Sequence, residues 1–294
     1  MAAPDEFLTP NAPTWCPGCG NFAMWRALRT AYSDLEIPFD KLEVVWGIGC
    51  HGNGADFTRC QGFHALHGRA LPVATGLHLS NPELTVVVEM GDGDAFGIGL
   101  GHFAHSCRRN LDMTSITHDN QIYGLTTGQA SPTTEQGMRS PSTPTGVLER
   151  PVNTIGLAIA EGATFVARGF ADDVEHLTGL MKAAITHRGF SVLDVFQPCV
   201  TWNKLNTHAW FRDRIYKLED ESWDSSDRVA AMKLSMENFN EMTCTPEECR
   251  IPIGVIYEET GRPTYADGLT HVTGPLWKAA QSPRDISKAI AEQG

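Results

Sequence analysis

Short apolar runs that are typical of buried strands alternate along this chain with segments of helical periodicity. The strand-like runs lie at residues 42–46, 84–90, 113–117, 164–167 and 191–196. The helix-like segments lie at residues 21–35, 95–109, 152–162 and 171–188. Because helical crossovers join strands that pair in parallel, this alternation predicts an α/β fold with a mostly parallel sheet and helices on both faces.

The alternation fades after about residue 200. A chain of 294 residues is long enough for one large α/β domain. We therefore expect residues 1–205 to form the main domain and residues 206–294 to form an extension that packs on it or on a partner. A polar stretch at residues 126–146, rich in Gly, Pro, Ser and Thr, predicts a loop, and loops of this length are usually functional or disordered.

The composition argues against several functional classes. A net charge of −12 repels phosphate backbones, so we expect no nucleic-acid partner. No stretch approaches the roughly 20 apolar residues of a membrane helix, and the N-terminal residues lack the apolar core of a signal peptide. We therefore expect a soluble, cytoplasmic protein with no membrane partner, whose eight cysteines favour metal binding over disulfides.

The most specific motif is Gly91-Asp92-Gly93-Asp94, which directly follows a strand-like run. Residues 94 to 119, which are 26 in number, separate Gly93 from Asn120. The carboxyl ends of parallel strands meet at one edge of a sheet, where ligands bind. Asp92 and Asn120 would offer oxygen ligands there to a cation such as Mg²⁺, and the glycines would let the backbone approach a diphosphate. This spacing resembles the signature of thiamine-diphosphate enzymes.

A tight turn around Asp92 with an unrelated turn residue at Asn120 is the alternative interpretation. The matching position of Asn120 after the next strand, followed by the sequence YGLTTGQ, favours the diphosphate site. In the resembling enzymes the backbone carbonyl two residues further on, here that of Ile122, is a third metal ligand.

Four cysteines stand where they would reach the same edge of the sheet. Cys16 and Cys19 form a CxxC pair, and Cys50 and Cys199 each follow a strand-like run. Four thiolates from separate loops can hold a [4Fe–4S] cluster.

A structural zinc site is the alternative, in which the CxxC pair would be completed by Cys244 and Cys249. It would leave the two strand-end cysteines without a role. We expect the remaining cysteines, Cys60 and Cys107, to be ordinary, and Cys107 to pack as a small hydrophobe in a helix.

Residues 47–52 have the glycine spacing GxGxxG of dinucleotide-binding folds. A helix does not follow readily and no acid stands at the required distance, so we reject a dinucleotide site. Four histidines, His51, His64, His67 and His78, crowd this region. We expect His64 and His78 to form ordinary hydrogen bonds rather than to bind a metal.

Six sequence motifs occur in the order CPGCG, GIGC, HGRALPVATG, GDGD, NQIYGLTTGQASPT and PCVTWN. In this order they resemble the β subunits of 2-oxoacid:ferredoxin oxidoreductases over about residues 10–205, which implies a thiamine-diphosphate-binding fold. The chain departs from that family at His51, where Ser or Gly is common, and at His78, where Lys is frequent. Neither departure removes a ligand, but both alter the surroundings of the cofactor.

The resemblance implies thiamine diphosphate, Mg²⁺ and one [4Fe–4S] cluster as cofactors. It also implies that Cys16, Cys19, Cys50 and Cys199 bind the cluster. The implied cofactor-binding residues are Gly49, His51, His67, Gly91, Asp92, Gly93, Asp94, Asn120, Ile122, Tyr123, Gly124, Leu125 and Thr126. The candidate catalytic residues are His51, His67 and Arg69, since a basic group there would support binding of the substrate carboxylate or proton transfer.

The resemblance also implies CoA-dependent oxidative decarboxylation of a 2-oxoacid, with electrons leaving through the cluster to ferredoxin. An α subunit is the implied partner, because no glutamate motif that would activate the cofactor ring is visible, and the assembly would be (αβ)₂. Residues 162–170 resemble enzymes for 2-oxoglutarate more than those for pyruvate. The alternatives are another 2-oxoacid, a thiamine-diphosphate enzyme subunit without a cluster, and a zinc-stabilised binding subunit.

Overall fold

The protein is described here from a computed structural model, and the structure describes residues 2–237, 249–269, 274–275, 278 and 287–291. The strands are β1 (Leu42–Trp46), β2 (Gln61–His64), β3 (Thr85–Gly91), β4 (Met113–Asp119), β5 (Phe165–Phe170), β6 (Phe190–Phe196), β7 (Ile215–Lys217) and β8 (Ile251–Glu258). The helices are α1 (Asn21–Asp34), α2 (Gly54–Phe57), α3 (Ala70–Ser80), α4 (Leu100–Arg109), α5 (Thr154–Glu161), α6 (Val174–Thr186), α7 (His208–Arg212), α8 (Arg228–Met236) and α9 (Ser287–Ala291).

All eight strands join one sheet in the order β2-β1-β3-β4-β6-β5-β8-β7. The first six strands in this order, β2, β1, β3, β4, β6 and β5, pair in parallel. Strand β8 pairs antiparallel to β5, and β7 pairs in parallel with β8. The predicted α/β fold with a mostly parallel sheet is therefore confirmed.

Helices cover the sheet on both faces, because alternate residues of each strand point to opposite sides. In β3, Val86 and Val88 pack in the core beneath α3, α4, α5 and α8, and Val87 packs in the opposite core beneath α1 and α6. Burial on both faces explains why the central strands read as continuous apolar runs in the sequence.

The segment that follows β3 differs from the single helix expected over residues 95–109. A π-helical turn, Asp94–Ile98, comes first, and Gly97 there has a ψ of −108° that breaks the helix. The regular helix α4 begins at Leu100. The break holds the backbone of the diphosphate motif close to the sheet edge.

Eight of the described elements were not anticipated from the sequence, namely α2, α3, α7, α8, α9, β2, β7 and β8. The residues of β2 are all exposed at the edge of the sheet, so they carry no apolar pattern. Strand β8 lies beyond residue 206, yet it pairs with β5 and so extends the main sheet. Within the described part of the chain, every helix is too short or too polar to cross a membrane.

Candidate active site at the carboxyl edge of the sheet

The loops that leave the carboxyl ends of β1, β3 and β4 enclose a cavity of about 370 Å³. Its walls are formed by Ile48, Gly49, Cys50, His51, His67, Gly91, Asp92, Gly93, Asp94, Asn120, Ile122, Tyr123, Gly124, Leu125, Thr126 and Gln129. The lining thus includes every cofactor-binding residue that the resemblance implies, except three of the four cysteines. It also includes Ile48 and Gln129, which were not among the implied binding residues.

Asp92 is buried at the end of β3, where two hydroxyl groups bind one of its carboxylate oxygens. The Ser131 and Thr133 hydroxyls both donate to Oδ2, the second from 2.7 Å. Burial raises the pKa of Asp92 to about 6, although these hydroxyl groups oppose the shift. Both hydroxyls take the same oxygen, and no side chain of the described residues donates a hydrogen bond to Oδ1.

Asn120 is held from several sides at the end of β4. Its Nδ2 donates to Gln197 Oε1 at 3.2 Å, and its Oδ1 accepts the Ile122 backbone N–H at 3.1 Å. Its own carbonyl accepts from Asn203 Nδ2 at 3.1 Å. The next residue, Gln121, has a φ of +59°, which turns the chain so that Ile122 also lines the cavity.

Gly93 is required by the close approach of Tyr123. A Cβ atom at Gly93 would lie 2.1 Å from Tyr123 Cε1, so any larger residue would displace that ring. The Tyr123 hydroxyl donates to the Gly93 carbonyl at 3.2 Å. The diphosphate motif and the segment after Asn120 are therefore packed against each other.

The four predicted cluster cysteines come together beside the same cavity. A Cβ atom at Gly124 would lie 3.5 Å from Cys50 Sγ and 3.6 Å from Cys199 Sγ. Burial, together with the neighbouring Cys199, Cys50 and Cys16 thiols, raises the pKa of Cys19 to about 11. The pKa of Cys50 is raised to about 11 by burial and by its neighbours as well.

Several known proteins are similar to this chain. Residues 47–195 match the C-terminal TPP-binding domain of thiamine pyrophosphate enzymes, and residues 199–274 match the C-terminal region of the pyruvate ferredoxin oxidoreductase β subunit. The 2-oxoacid:ferredoxin oxidoreductase subunit β of a Sulfolobus species is 46% identical over 270 residues, which cover 89% of this chain and 87% of that protein.

The chain belongs to the β subunits of the 2-oxoacid:ferredoxin oxidoreductases.

Two further relatives concern 2-oxoglutarate. The 2-oxoglutarate oxidoreductase subunit KorB of Mycobacterium tuberculosis is 40% identical over 67% of this chain and 53% of its own length. A solved structure of 2-oxoglutarate:ferredoxin oxidoreductase from Magnetococcus marinus, with 2-oxoglutarate, coenzyme A and succinyl-CoA bound, superposes with a TM-score of 0.89 at 36% identity. That match covers 100% of this chain and 96% of the other. The family inferred from the motifs is confirmed, and the β subunit carries a thiamine-diphosphate-binding domain.

The other cysteines that the structure describes, Cys60, Cys107 and Cys249, do not line this cavity. Cys107 is fully buried in α4, as expected, and burial raises the pKa of Cys60 to about 12. Cys249 is disulfide-bonded, contrary to the expectation of reduced thiols, so its sulfur is not free for the alternative zinc site. Cys244, the other cysteine that this alternative required, lies outside the described residues.

His51 lies beneath the cavity with its ring against two glycines. A Cβ atom at Gly91 would lie 3.2 Å from the His51 ring, and the ring centroid of His118 is 5.2 Å from that of His51. Burial and the neighbouring histidines hold the pKa of His51 well below its usual value. His51 is therefore neutral at physiological pH and does not attract a substrate carboxylate by charge.

His67 and Arg69, the other two candidate catalytic residues, occupy different environments. His67 lines the cavity, and its Nδ1 lies 2.8 Å from Oδ1 of the buried Asp94. Arg69 is exposed outside the cavity lining and contacts His102. His64 is exposed, whereas burial lowers the pKa of His78 on α3.

Sequence reasoning missed three residues that hold the predicted ligands, namely Ser131, Thr133 and Gln197. The two hydroxyl residues lie in the polar loop whose composition marked it only as functional or disordered. Gln197 stands two residues before Cys199, at the end of a strand already predicted to reach the site. A search for hydrogen-bonding side chains next to strand-end ligands would have singled out Gln197.

Proposed function

We propose that this β subunit, together with an α subunit, oxidatively decarboxylates 2-oxoglutarate to an acyl-CoA and passes the electrons through a [4Fe–4S] cluster to ferredoxin. The observation that supports this proposal most strongly is that four thiols and three oxygen ligands converge beside one cavity at the sheet edge. The same site would run in the reverse, carboxylating direction when reduced ferredoxin is supplied.

The oxygen groups fit a magnesium ion that bridges to a diphosphate. Asp92 Oδ1, Asn120 Oδ1 and the Ile122 carbonyl would be the protein ligands, a set of hard oxygen donors. Among the residues that the structure describes, no Lys, Arg or His forms an ion pair with the buried Asp92 carboxylate, and a divalent ion would compensate its charge. Thiamine diphosphate, when bound, supplies the electron sink that decarboxylation requires.

The thiols lie near enough to one another to serve one cluster. Cys16, Cys50 and Cys199 each raise the pKa of Cys19, and Cys16 and Cys199 also raise that of Cys50. Cys50 Sγ and Cys199 Sγ both lie beside Gly124. Four cysteine thiolates from separate loops are what a [4Fe–4S] cluster requires.

The cavity is incomplete for catalysis in this chain alone. Its lining within the described residues contains no glutamate to activate the cofactor ring and no Lys or Arg to bind the second carboxylate of 2-oxoglutarate. His67 is partly exposed at the cavity, and its Nδ1 faces the buried Asp94 carboxylate. We therefore assign the missing groups to the α subunit of a cytoplasmic (αβ)₂ assembly.

The substrate assignment draws on two relatives named for 2-oxoglutarate, although the Sulfolobus relative is named for 2-oxoacids in general. The test is to purify the αβ complex without oxygen and to measure iron, sulfide and thiamine diphosphate together. We expect about four irons, about four sulfides and one thiamine diphosphate per β subunit. Zinc without sulfide would contradict the cluster and leave the diphosphate site standing.

The same preparation distinguishes the substrates. We expect CoA-dependent reduction of ferredoxin with a kcat/KM for 2-oxoglutarate at least about tenfold above that for pyruvate, a difference of about 1.4 kcal/mol in transition-state binding. A preference for pyruvate or for a branched-chain 2-oxoacid would overturn the substrate while leaving the reaction class intact.

A further inference from the structure

Gln197 is a buried amide that touches both predicted ligand sets. It directly follows β6, is only 1% exposed, and its backbone N–H donates to the Asp119 carbonyl at 2.9 Å. Its side-chain Oε1 accepts from Asn120 Nδ2 at 3.2 Å, and its Nε2 donates to Cys19 Sγ at 3.4 Å. A second contact of Nε2, to the Pro198 carbonyl at 3.1 Å, fixes the plane of the amide.

We propose that Gln197 is a positioning residue that joins the two cofactor sites, orienting the cation ligand Asn120 with one end of its amide and stabilising the cluster ligand Cys19 with the other. This inference depends on the proposed cation and cluster sites. It assigns to one side chain an effect on both.

Toward the cation, Gln197 decides which end of the Asn120 amide faces the cavity. An amide has a donor end and an acceptor end, and Gln197 Oε1 can only accept, so it binds the Asn120 nitrogen. The Asn120 oxygen is thereby directed to the side of Ile122, where a cation would need it. Loss of a group that orients a metal ligand in this way commonly lowers the metal affinity by about 10–100-fold.

Toward the cluster, Gln197 supplies an N–H donor to a ligand sulfur. Such a hydrogen bond stabilises the more negatively charged, reduced cluster and raises its reduction potential. Gln197 is buried, and the low dielectric of the interior strengthens a hydrogen bond from its amide N–H to a charged sulfur.

The surrounding chain is shaped for this side chain. A Cβ atom at Gly20, the residue after Cys19, would lie 3.0 Å from Gln197 Cγ and 3.1 Å from Gln197 Nε2. Gly20 therefore leaves the space that the amide needs. A Gly20→Ala substitution would press on Gln197 without altering any ligand.

The decisive variant is Gln197→Met, which keeps the length of the side chain and removes both polar ends. It is measured in the αβ complex beside Gln136→Met, a control glutamine that bonds the Leu148 carbonyl in the loop, away from both sites. The two readouts are the midpoint potential of the cluster, followed by electron paramagnetic resonance, and the affinity for thiamine diphosphate with Mg²⁺, measured by calorimetry.

We expect Gln197→Met to lower the potential by about 59 mV, which corresponds to a tenfold change in the one-electron equilibrium. We also expect it to weaken cofactor binding by about tenfold. Both quantities stay at the wild-type values in the control. Unchanged potential and affinity in a Gln197→Met complex that retains its iron and sulfide would overturn the inference.

A second variant decides the matter if Gln197→Met assembles without its cluster. Gln197→Glu keeps an acceptor for Asn120 and loses the donor to Cys19, so cofactor affinity should be retained while the potential falls. Loss of affinity together with an unchanged potential would contradict the inference. Absence of a cluster from the wild-type complex would refute the proposed function itself, which separates the two failures.

Discussion

The proposed cation site is organised by hydroxyl groups that carry no charge of their own. Ser131 and Thr133 both donate to Asp92 Oδ2, and the Thr134 hydroxyl donates to the Gln121 carbonyl at 2.6 Å. One short segment of the polar loop therefore holds both halves of the site, the strand end that carries Asp92 and the turn after Asn120. The loop is part of the site rather than a cover over it.

Replacing Thr133 by Val should weaken the binding of thiamine diphosphate with Mg²⁺ to the αβ complex. The isosteric change removes a hydrogen bond to a carboxylate, which contributes about 1.5–3 kcal/mol, so the dissociation constant should rise by at least about tenfold. Calorimetry measures the change. Thr145→Val, at an exposed position in the same loop, is the control and should leave the affinity unchanged. Equal affinities for the two variants would show that Thr133 does not position Asp92.

Helix α6 is fixed at its start by Asp173, which has two roles. Its carboxylate accepts the His176 backbone N–H at 3.2 Å as the N-cap, and it lies 2.6 Å from Lys217 on β7. Partial burial opposes ionisation, but the Lys217 and His176 contacts together hold the pKa of Asp173 below its usual value. The cap joins α6 to the strand at the far edge of the sheet.

Asp173→Ala should destabilise the protein by about 1 kcal/mol, because the cap is lost, whereas Asp173→Asn should cost less, because Asn also caps helices. A lowered pKa means that the charged form contributes stability above the unfolded pKa of about 3.9, and that this part is lost as the pH falls through the folded value. Denaturant unfolding at pH 7 and at acid pH measures both effects. A gap between wild type and Asp173→Asn that widens in acid would contradict the assignment.

The core beneath α4 depends on Phe103, which is fully buried. Its ring meets Phe96 at 5.1 Å and Phe190 at 6.4 Å between centroids, both edge to face. Phe103→Ala should lower the free energy of unfolding by about 3–5 kcal/mol, because it removes buried contacts and leaves a cavity. Val229→Ala, on the exposed side of α8, should change it by less than about 0.5 kcal/mol. Comparable losses in the two variants would exclude a core role for this ring.

At the scale of the whole molecule, we propose that the β subunit supplies one part of an active site shared with the α subunit. The sheet edge gathers the predicted cofactor ligands and the thiols, but the described lining lacks a glutamate for the cofactor ring and a Lys or Arg for a second carboxylate. Residues 1–205 hold every predicted ligand, and we propose that the segment after residue 206 serves to widen the sheet through β7 and β8.

The β subunit alone should therefore reduce no ferredoxin, and adding the separately purified α subunit should restore CoA-dependent turnover. The expected rise is at least about 10³-fold, since a missing acid–base group and missing substrate contacts each cost orders of magnitude. The measurement is ferredoxin reduction at increasing ratios of α to β. Turnover by the β subunit alone, at the rate of the complex, would place all the catalytic groups in this chain.

The sequence by itself determined the mostly parallel sheet and the family, and it predicted the ligands. Strands buried on both faces must be apolar throughout, and cations and clusters demand particular atoms at strand ends, so a sequence pattern can indicate Asp92, Asn120 and the cysteines. The tertiary structure decided which residues hold them. Ser131, Thr133 and Gln197 are ordinary polar residues whose roles depend on the direction of single hydrogen bonds across the fold. Strand β2 is exposed at the sheet edge and so carries no apolar pattern, whereas β8 is mostly buried between β5 and β7 and owes its place to long-range antiparallel pairing with β5.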